Sequence, residues 1–255
     1  MNRKIKKLFL DNTIIFVLFD MDGTLVDTHT YFQEEMTNAI LKTVSEIFPN
    51  KTLKQLLTIT KKILNIGDNI YENQKSPIPV TELSKKAITE YLNEKKIKTD
   101  EKELYKTIES SYKEFYLTSP LPFPYTISAL HKITELNIPI GVYSHAQEEW
   151  TKVKVEKIRD DYFKKYKEDI KIPFFTTPIT DLKDKQGWIK AGKYHNTNLE
   201  KTLVVGDNLL ADINAAIDAG YKYLVYLSHS NKPVKIEKRV HAKIFVTKNL
   251  KTIFN

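Results

Sequence analysis

Two carboxylates separated by one residue, Asp20 and Asp22, stand where an apolar run stops. Ile14 to Phe19 has strand length and is rich in β-branched and aromatic side chains. It reads as a strand buried on both faces inside a parallel sheet. Gly23 then permits a tight turn, and Thr24 supplies a hydroxyl. In an open α/β sheet, ligands bind at the carboxyl ends of strands. Acids two positions apart on an extended strand point to opposite sides. This strand ends at Asp20, so both acids can converge on one site. Oxygen ligands gathered in this way suit Mg²⁺, a hard cation. The alternative is an Asp-Gly hairpin turn. A hairpin requires a second strand directly after Gly23, and Asp27-Thr28-His29-Thr30 does not read as one.

The remaining elements must hold such a site. The chain has 255 residues, 41% of them hydrophobic, which allows a large core plus a smaller module. No apolar run approaches the roughly 20 residues that span a bilayer. Behind the basic start Met1-Asn2-Arg3-Lys4-Ile5-Lys6-Lys7 stands only Leu8-Phe9-Leu10, too short for a signal-peptide core. A cytoplasmic protein is therefore expected, with no membrane partner. With no cysteine, disulfides and thiolate metal sites are excluded. The net charge of +8 is carried almost wholly by lysine, since Arg3, Arg159 and Arg239 are the only arginines. Nucleic-acid sites favour Arg for bidentate contacts, so nucleic acid is not the expected partner. The excess charge favours small anionic substrates at encounter.

From His29 to Ser119 no strand-like run occurs. Apolar residues recur at helical spacing from Phe32 to Ile47, from Leu53 to Leu64, from Thr81 to about Glu94, and from an N-cap at Thr99-Asp100-Glu101 through Tyr116. Ile66-Gly67-Asp68-Asn69 and Ser76-Pro77-Ile78-Pro79 read as loops. The Pro-rich segment Ser119 to Pro124 closes this insert. Strands and helices alternate afterwards. Helices are predicted over Tyr125–Leu136, Gln147–Lys167, Asp184–Tyr194 and Leu209–Ala219, the last closed by Gly220. Strands are predicted over Ile138–Tyr143, Ile172–Thr176, Thr202–Gly206, Tyr223–Leu227 and Ile244–Thr247. This alternation implies an α/β fold with a doubly wound parallel sheet.

Asp20-Met21-Asp22-Gly23-Thr24 resembles motif I, D-x-D-G-T, of the haloacid dehalogenase (HAD) superfamily of Mg²⁺-dependent phosphohydrolases. The layout is similar to members with a C1-type helical cap, the phosphoglycolate phosphatase and β-phosphoglucomutase-like group. The resemblance implies a HAD-like Rossmannoid core over 1–27 and 120–255, with an all-helical cap inserted at 28–119. It implies a phosphatase that acts on a small phosphorylated metabolite through an aspartyl-phosphate. A phosphomutase, or a HAD-fold binding protein with little turnover, is the alternative.

The resemblance also implies roles. Asp20 is the expected nucleophile, and Asp22 the acid that protonates the leaving oxygen and then the base that activates water. Members that cleave carbon–halogen bonds lack an acid at this second position, because a halide needs no proton. Ser144, after the second strand, matches motif II and is expected to hold a phosphoryl oxygen, with His145 and Thr24 as further substrate contacts. His145 stands where Asn is common. Lys183 and Lys185 both precede Asp207 at a plausible distance and are the two candidates for the motif III cation, with Lys183 favoured. The common Lys-Pro pair is lacking. Gly206-Asp207 with Asp212 and the Ala215-Ala216 to Gly220 helix match motif IV. Asp207, Asp20 and the backbone carbonyl of Asp22 are the expected Mg²⁺ ligands, with Asp212 orienting the metal's water shell or Lys183.

Overall fold

The computed structural model describes residues 2–73, 78–178, 181–230 and 241–254. The chain divides into two compact units, Met1–Thr28 with Ser119–Asn255, and His29–Thr118. The first is built on a sheet of β1 (Phe16–Phe19), β2 (Ile140–Ser144), β3 (Phe174–Thr176), β4 (Thr202–Gly206), β5 (Tyr223–Leu227) and β6 (Lys243–Thr247). The strand order is β3-β2-β1-β4-β5-β6, and every pair is parallel. Phe19 lies opposite Val142 of β2 and Val205 of β4, so the carboxyl ends of these three strands are level. The order reverses between β1 and β4, the place where open α/β sheets form a ligand crevice.

Alternate residues of each strand enter separate cores. Val17, Phe19, Ile140, Val142, Leu203 and Val205 pack on one face. Phe16, Leu18, Tyr143, Val204 and Leu224 pack on the other. Both faces are covered, which is why these strands read as continuous apolar runs. The flanking helices of this unit are α1 (Arg3–Leu10), α6 (Thr126–Thr134), α7 (Glu148–Tyr166), α8 (Lys185–Tyr194), α9 (Ala215–Ala219) and α10 (Leu250–Phe254). The sequence pattern did not predict α1 or α10. The basic N-terminal stretch is helical because Asn2 caps it, and Ile5 and Phe9, one turn apart, bury its apolar side. β1 starts at Phe16 rather than Ile14, since Ile15 is already exposed.

Among the described residues the regular structure of the second unit is helical: α2 (Thr28–Ile47, whose first residue belongs to the sheet unit), α3 (Leu53–Glu72), α4 (Val80–Glu94) and α5 (Glu101–Tyr112). Thr52 and Gln55 form a reciprocal capping box at α3, and Asp100 caps α5. The loop expected over Ile66 to Asn69 is instead helix. Leu56, Thr60, Ile63 and Gly67 form one buried stripe, and burial of that face outweighs the roughly 1 kcal/mol that a helical glycine costs. The last helix stops at Tyr112, short of Tyr116; Phe115 is buried from the turn that follows. Ile78 and Pro79 precede α4 without regular structure, whereas Ser76 and Pro77 of that predicted loop lie outside the described residues. Among the described residues, no helix is long and apolar enough to cross a membrane.

Candidate active site

Asp20 follows β1 directly, and its backbone N–H donates to the Val205 carbonyl of β4 at 2.8 Å. That bond places the carboxylate at the reversal point of the sheet. Asp207 follows β4 one residue beyond Gly206. The predicted single helix after Asp207 is in fact two pieces, a π-helical turn Leu209–Asn214 and then α9. The Asn208 side chain caps this turn by accepting from the N–H groups of Leu210 and Ala211, both at 3.0 Å. The wide turn carries Asp212 back to its own start, where Oδ2 accepts from the N–H groups of Asp207 at 3.1 Å and Asn208 at 2.9 Å. Insertions of this kind recur at functional sites.

Carboxylate oxygens of Asp20, Asp207 and Asp212 lie within 4.8 Å of one another. Lys183 donates to Asp20 Oδ1, and its ammonium is 2.7 Å from Asp212 Oδ1. Lys185 is an exposed residue at the first position of α8, so the structure brings Lys183 and not Lys185 to the acids. Asp22 points elsewhere. Its Oδ1 accepts from the Thr28 hydroxyl at 2.6 Å and from Lys154 Nζ at 2.5 Å, and its Oδ2 accepts from Ser144 Oγ at 3.2 Å. The side chain of Asp22 thus stays out of the three-acid group.

Three predicted substrate contacts are engaged within the protein. Ser144 is fully buried on Asp22. Thr24 is fully buried, and its hydroxyl donates to Asp207 Oδ1 at 3.4 Å. His145 Nε2–H donates to the Asp181 carbonyl at 2.7 Å, tying the turn after β2 to the segment that carries Lys183.

Sequence reasoning missed Lys154, Thr28 and His229. Lys154 is 0% exposed and sits 3.5 Å over the Trp150 ring. The signal was present: Trp150, Lys154, Ile158 and Tyr162 recur every four residues on the buried side of α7, so one lysine occupies an apolar stripe. Removing an ammonium from water costs several kcal/mol, which Asp22 and the indole face must offset. His229 Nε2–H donates to the Gly23 carbonyl at 2.6 Å, and its ring stacks on Phe123.

The electrostatics follow from this sorting. Burial pushes Asp20 well above the usual carboxylate range, against the pull of Lys183 and with help from the neighbouring acids. Asp207 is pushed up to about 6 by burial and by the Asp212 charge. Burial would raise Asp22 too, but Lys154, Thr28 and Ser144 outweigh it and hold the carboxyl below its ordinary value. Burial likewise favours the neutral amine at Lys154, and the Asp22 charge only partly restores it. At Lys183 the burial penalty is outweighed by Asp20 and Asp212, and the ammonium is held charged.

These residues fit a divalent cation. Asp20 Oδ2 is buried with no hydrogen-bond partner among the described residues, a costly state for a carboxylate oxygen unless a cation meets it. Four carboxylates set against two ammonium groups leave a formal charge that one divalent ion balances. All the donors are hard oxygens, the set that Mg²⁺ prefers.

Comparison with known proteins gives the same frame. The haloacid dehalogenase-like hydrolase family model matches residues 16–220. Three solved structures share the fold over most of both chains. A haloacid dehalogenase-like family hydrolase from Xanthomonas campestris has a TM-score of 0.58 at 12% identity, over 94% of this chain and 88% of that one. YfnB from Bacillus subtilis, described as a putative HAD-hydrolase bound to magnesium, has a TM-score of 0.58 at 15% identity, over 94% and 97%. A 2-haloacid dehalogenase from Pseudomonas syringae has a TM-score of 0.57 at 16% identity, over 94% and 96%. A search of the curated proteins finds no match. With its family match running from β1 to the glycine that ends α9, this chain belongs to the haloacid dehalogenase-like hydrolases.

Proposed function

We propose that this hydrolase is a Mg²⁺-dependent phosphatase of small phosphomonoesters, working through an aspartyl-phosphate on Asp20. The observation that carries the reading is Asp22, an acid two residues after the nucleophile, held by Lys154, Thr28 and Ser144. A carbon–halogen bond releases halide, which takes no proton, so that step needs no acid beside the nucleophile. An alkoxide leaving from phosphorus does need a proton.

In this reading Asp20 and Asp207 hold the cation, and Asp212 is occupied in orienting Lys183 and the Asp207 amide. Bound there, Mg²⁺ would neutralise charge on the phosphoryl oxygens. A carboxylate oxygen of Asp20 attacks phosphorus while the bond from phosphorus to the ester oxygen breaks. Lys183 offsets the charge of the nucleophile and of the incoming phosphate. Asp22 is ionised in the free site. The negative charge of a bound phosphate raises its proton affinity, so that it carries a proton for the departing oxygen. It then takes a proton from the water that cleaves the aspartyl-phosphate, returning Asp20 to its starting form. Ser144 orients Asp22 throughout.

Hydrolysis of p-nitrophenyl phosphate with Mg²⁺, compared with halide release from a 2-haloacid, tests the reading. Phosphate release that stops with a chelator is the expected result. Halide release without phosphatase activity would overturn it.

A further inference from the structure

Three elements converge on one carboxylate. Thr28 at the start of α2 and Lys154 of α7 share Asp22 Oδ1, at 2.6 and 2.5 Å, while Ser144 at the end of β2 binds Oδ2 at 3.2 Å. The Asp22 side chain keeps 26% of its surface exposed, whereas that of Lys154 is 0% exposed. A stripe that needed only packing would carry Leu or Met at this position. The lysine is held instead between the Trp150 ring and Asp22. The second buried lysine, Lys183, bonds Asp20 and Asp212. The two ammonium groups thus divide the four acids, one of them taking Asp22 away from the three that can share a cation.

We infer that Lys154 is the positioning residue for Asp22: its buried ammonium, with the Thr28 and Ser144 hydroxyls, fixes the carboxylate in one orientation, apart from the cation-binding acids and available to the leaving group. This rests on the phosphatase reading for its kinetic consequence, but the placement itself does not. A reacting group must be held within fractions of an ångström by a supporting shell. An ammonium that touches neither substrate nor metal acts only through the group it holds. Its loss should therefore be felt where Asp22 is needed and nowhere else.

The test compares single-turnover release of alcohol from an alkyl phosphate, a poor leaving group, with release of p-nitrophenol from its phosphate, a good one. Lys154→Gln should lose about 100-fold on the alkyl ester and much less on the aryl ester, with the half-saturating concentration little changed. In an Asp22→Asn background the same substitution should cost nothing further on either ester. Equal losses on both esters, or losses that add to those of Asp22→Asn, would overturn the proposal. Lys154→Arg keeps the charge and serves in place of Lys154→Gln if that variant fails to fold; its displaced head should give the same alkyl-selective deficit, and an unselective one counts against the role. A crystal structure of either variant decides the placement without any turnover. Asp22 rotated away from Ser144 and Thr28 supports the proposal; Asp22 unmoved refutes it. Should the wild type hydrolyse neither ester, the phosphatase reading falls, and the crystal structure of the variant still decides whether Lys154 positions Asp22.

Discussion

Gly23 and Asp207 approach so closely that no β-carbon fits between them: an ideal Cβ at residue 23 would stand 2.2 Å from Asp207 Oδ2. Gly23 also has φ +80°, a conformation that costs other residues about 1–2 kcal/mol. The glycine of motif I is thus what lets the turn after β1 reach the acid after β4. Gly23→Ala should displace the Asp207 carboxylate and weaken Mg²⁺ binding at least about tenfold, while most of the core remains folded. Isothermal titration with Mg²⁺ measures this, and wild-type affinity in the variant would refute the link.

On the proposed mechanism, Asp20→Asn should lower phosphatase turnover by at least about 1000-fold, as loss of a covalent nucleophile does elsewhere. The fold should survive, because the amide can still accept from Lys183 through its oxygen. Steady-state kinetics and circular dichroism check the two halves.

Lys183→Met and Lys185→Ala should differ clearly in stability. Removing Lys183 leaves Asp20 and Asp212 facing each other in a buried site, and breaking such a pair from one side costs about 3–5 kcal/mol. Lys185 is exposed, so Lys185→Ala should stay within about 0.5 kcal/mol of wild type. Urea unfolding of Lys183→Met and Lys185→Ala without Mg²⁺ measures both, and equal midpoints would contradict the assignment.

Asp207 gives a pH dependence with a definite sign. Its pKa in the metal-free fold is raised to about 6, above the roughly 3.9 of an unfolded chain. Its contribution to the stability of the metal-free protein is therefore full below about pH 3.9 and lost as pH rises through about 6. Mg²⁺ binding runs the other way, because the ligand must be ionised. The share of the affinity set by Asp207 should be level above about pH 6 and fall up to about tenfold per unit below it, with proton release on binding. Titrations in buffers of different ionisation enthalpy read that proton directly.

Much of this protein is decided by local sequence. A strand buried on both faces has no room for polar residues, so Phe16–Phe19 and Thr202–Gly206 stand out as apolar runs, and the acids that follow them mark the strand ends. The parallel alternation and the helical insert follow from periodicity alone. What the tertiary structure decided is how the charges pair. Asp20 and Asp22 are two residues apart yet face different lysines, Lys183 and Lys154, which lie 163 and 132 positions further along the chain. Local sequence favours Lys183 over Lys185 only slightly, and folding shows which of them is buried. Lys154 stands in line with Trp150, Ile158 and Tyr162 along α7, but only the packing shows that its ammonium meets Asp22. Hydrophobic periodicity is a property of neighbours along the chain. Ion pairing depends on distance in space and on the removal of water, and both exist only once the sheet has brought the ends of β1, β2 and β4 together.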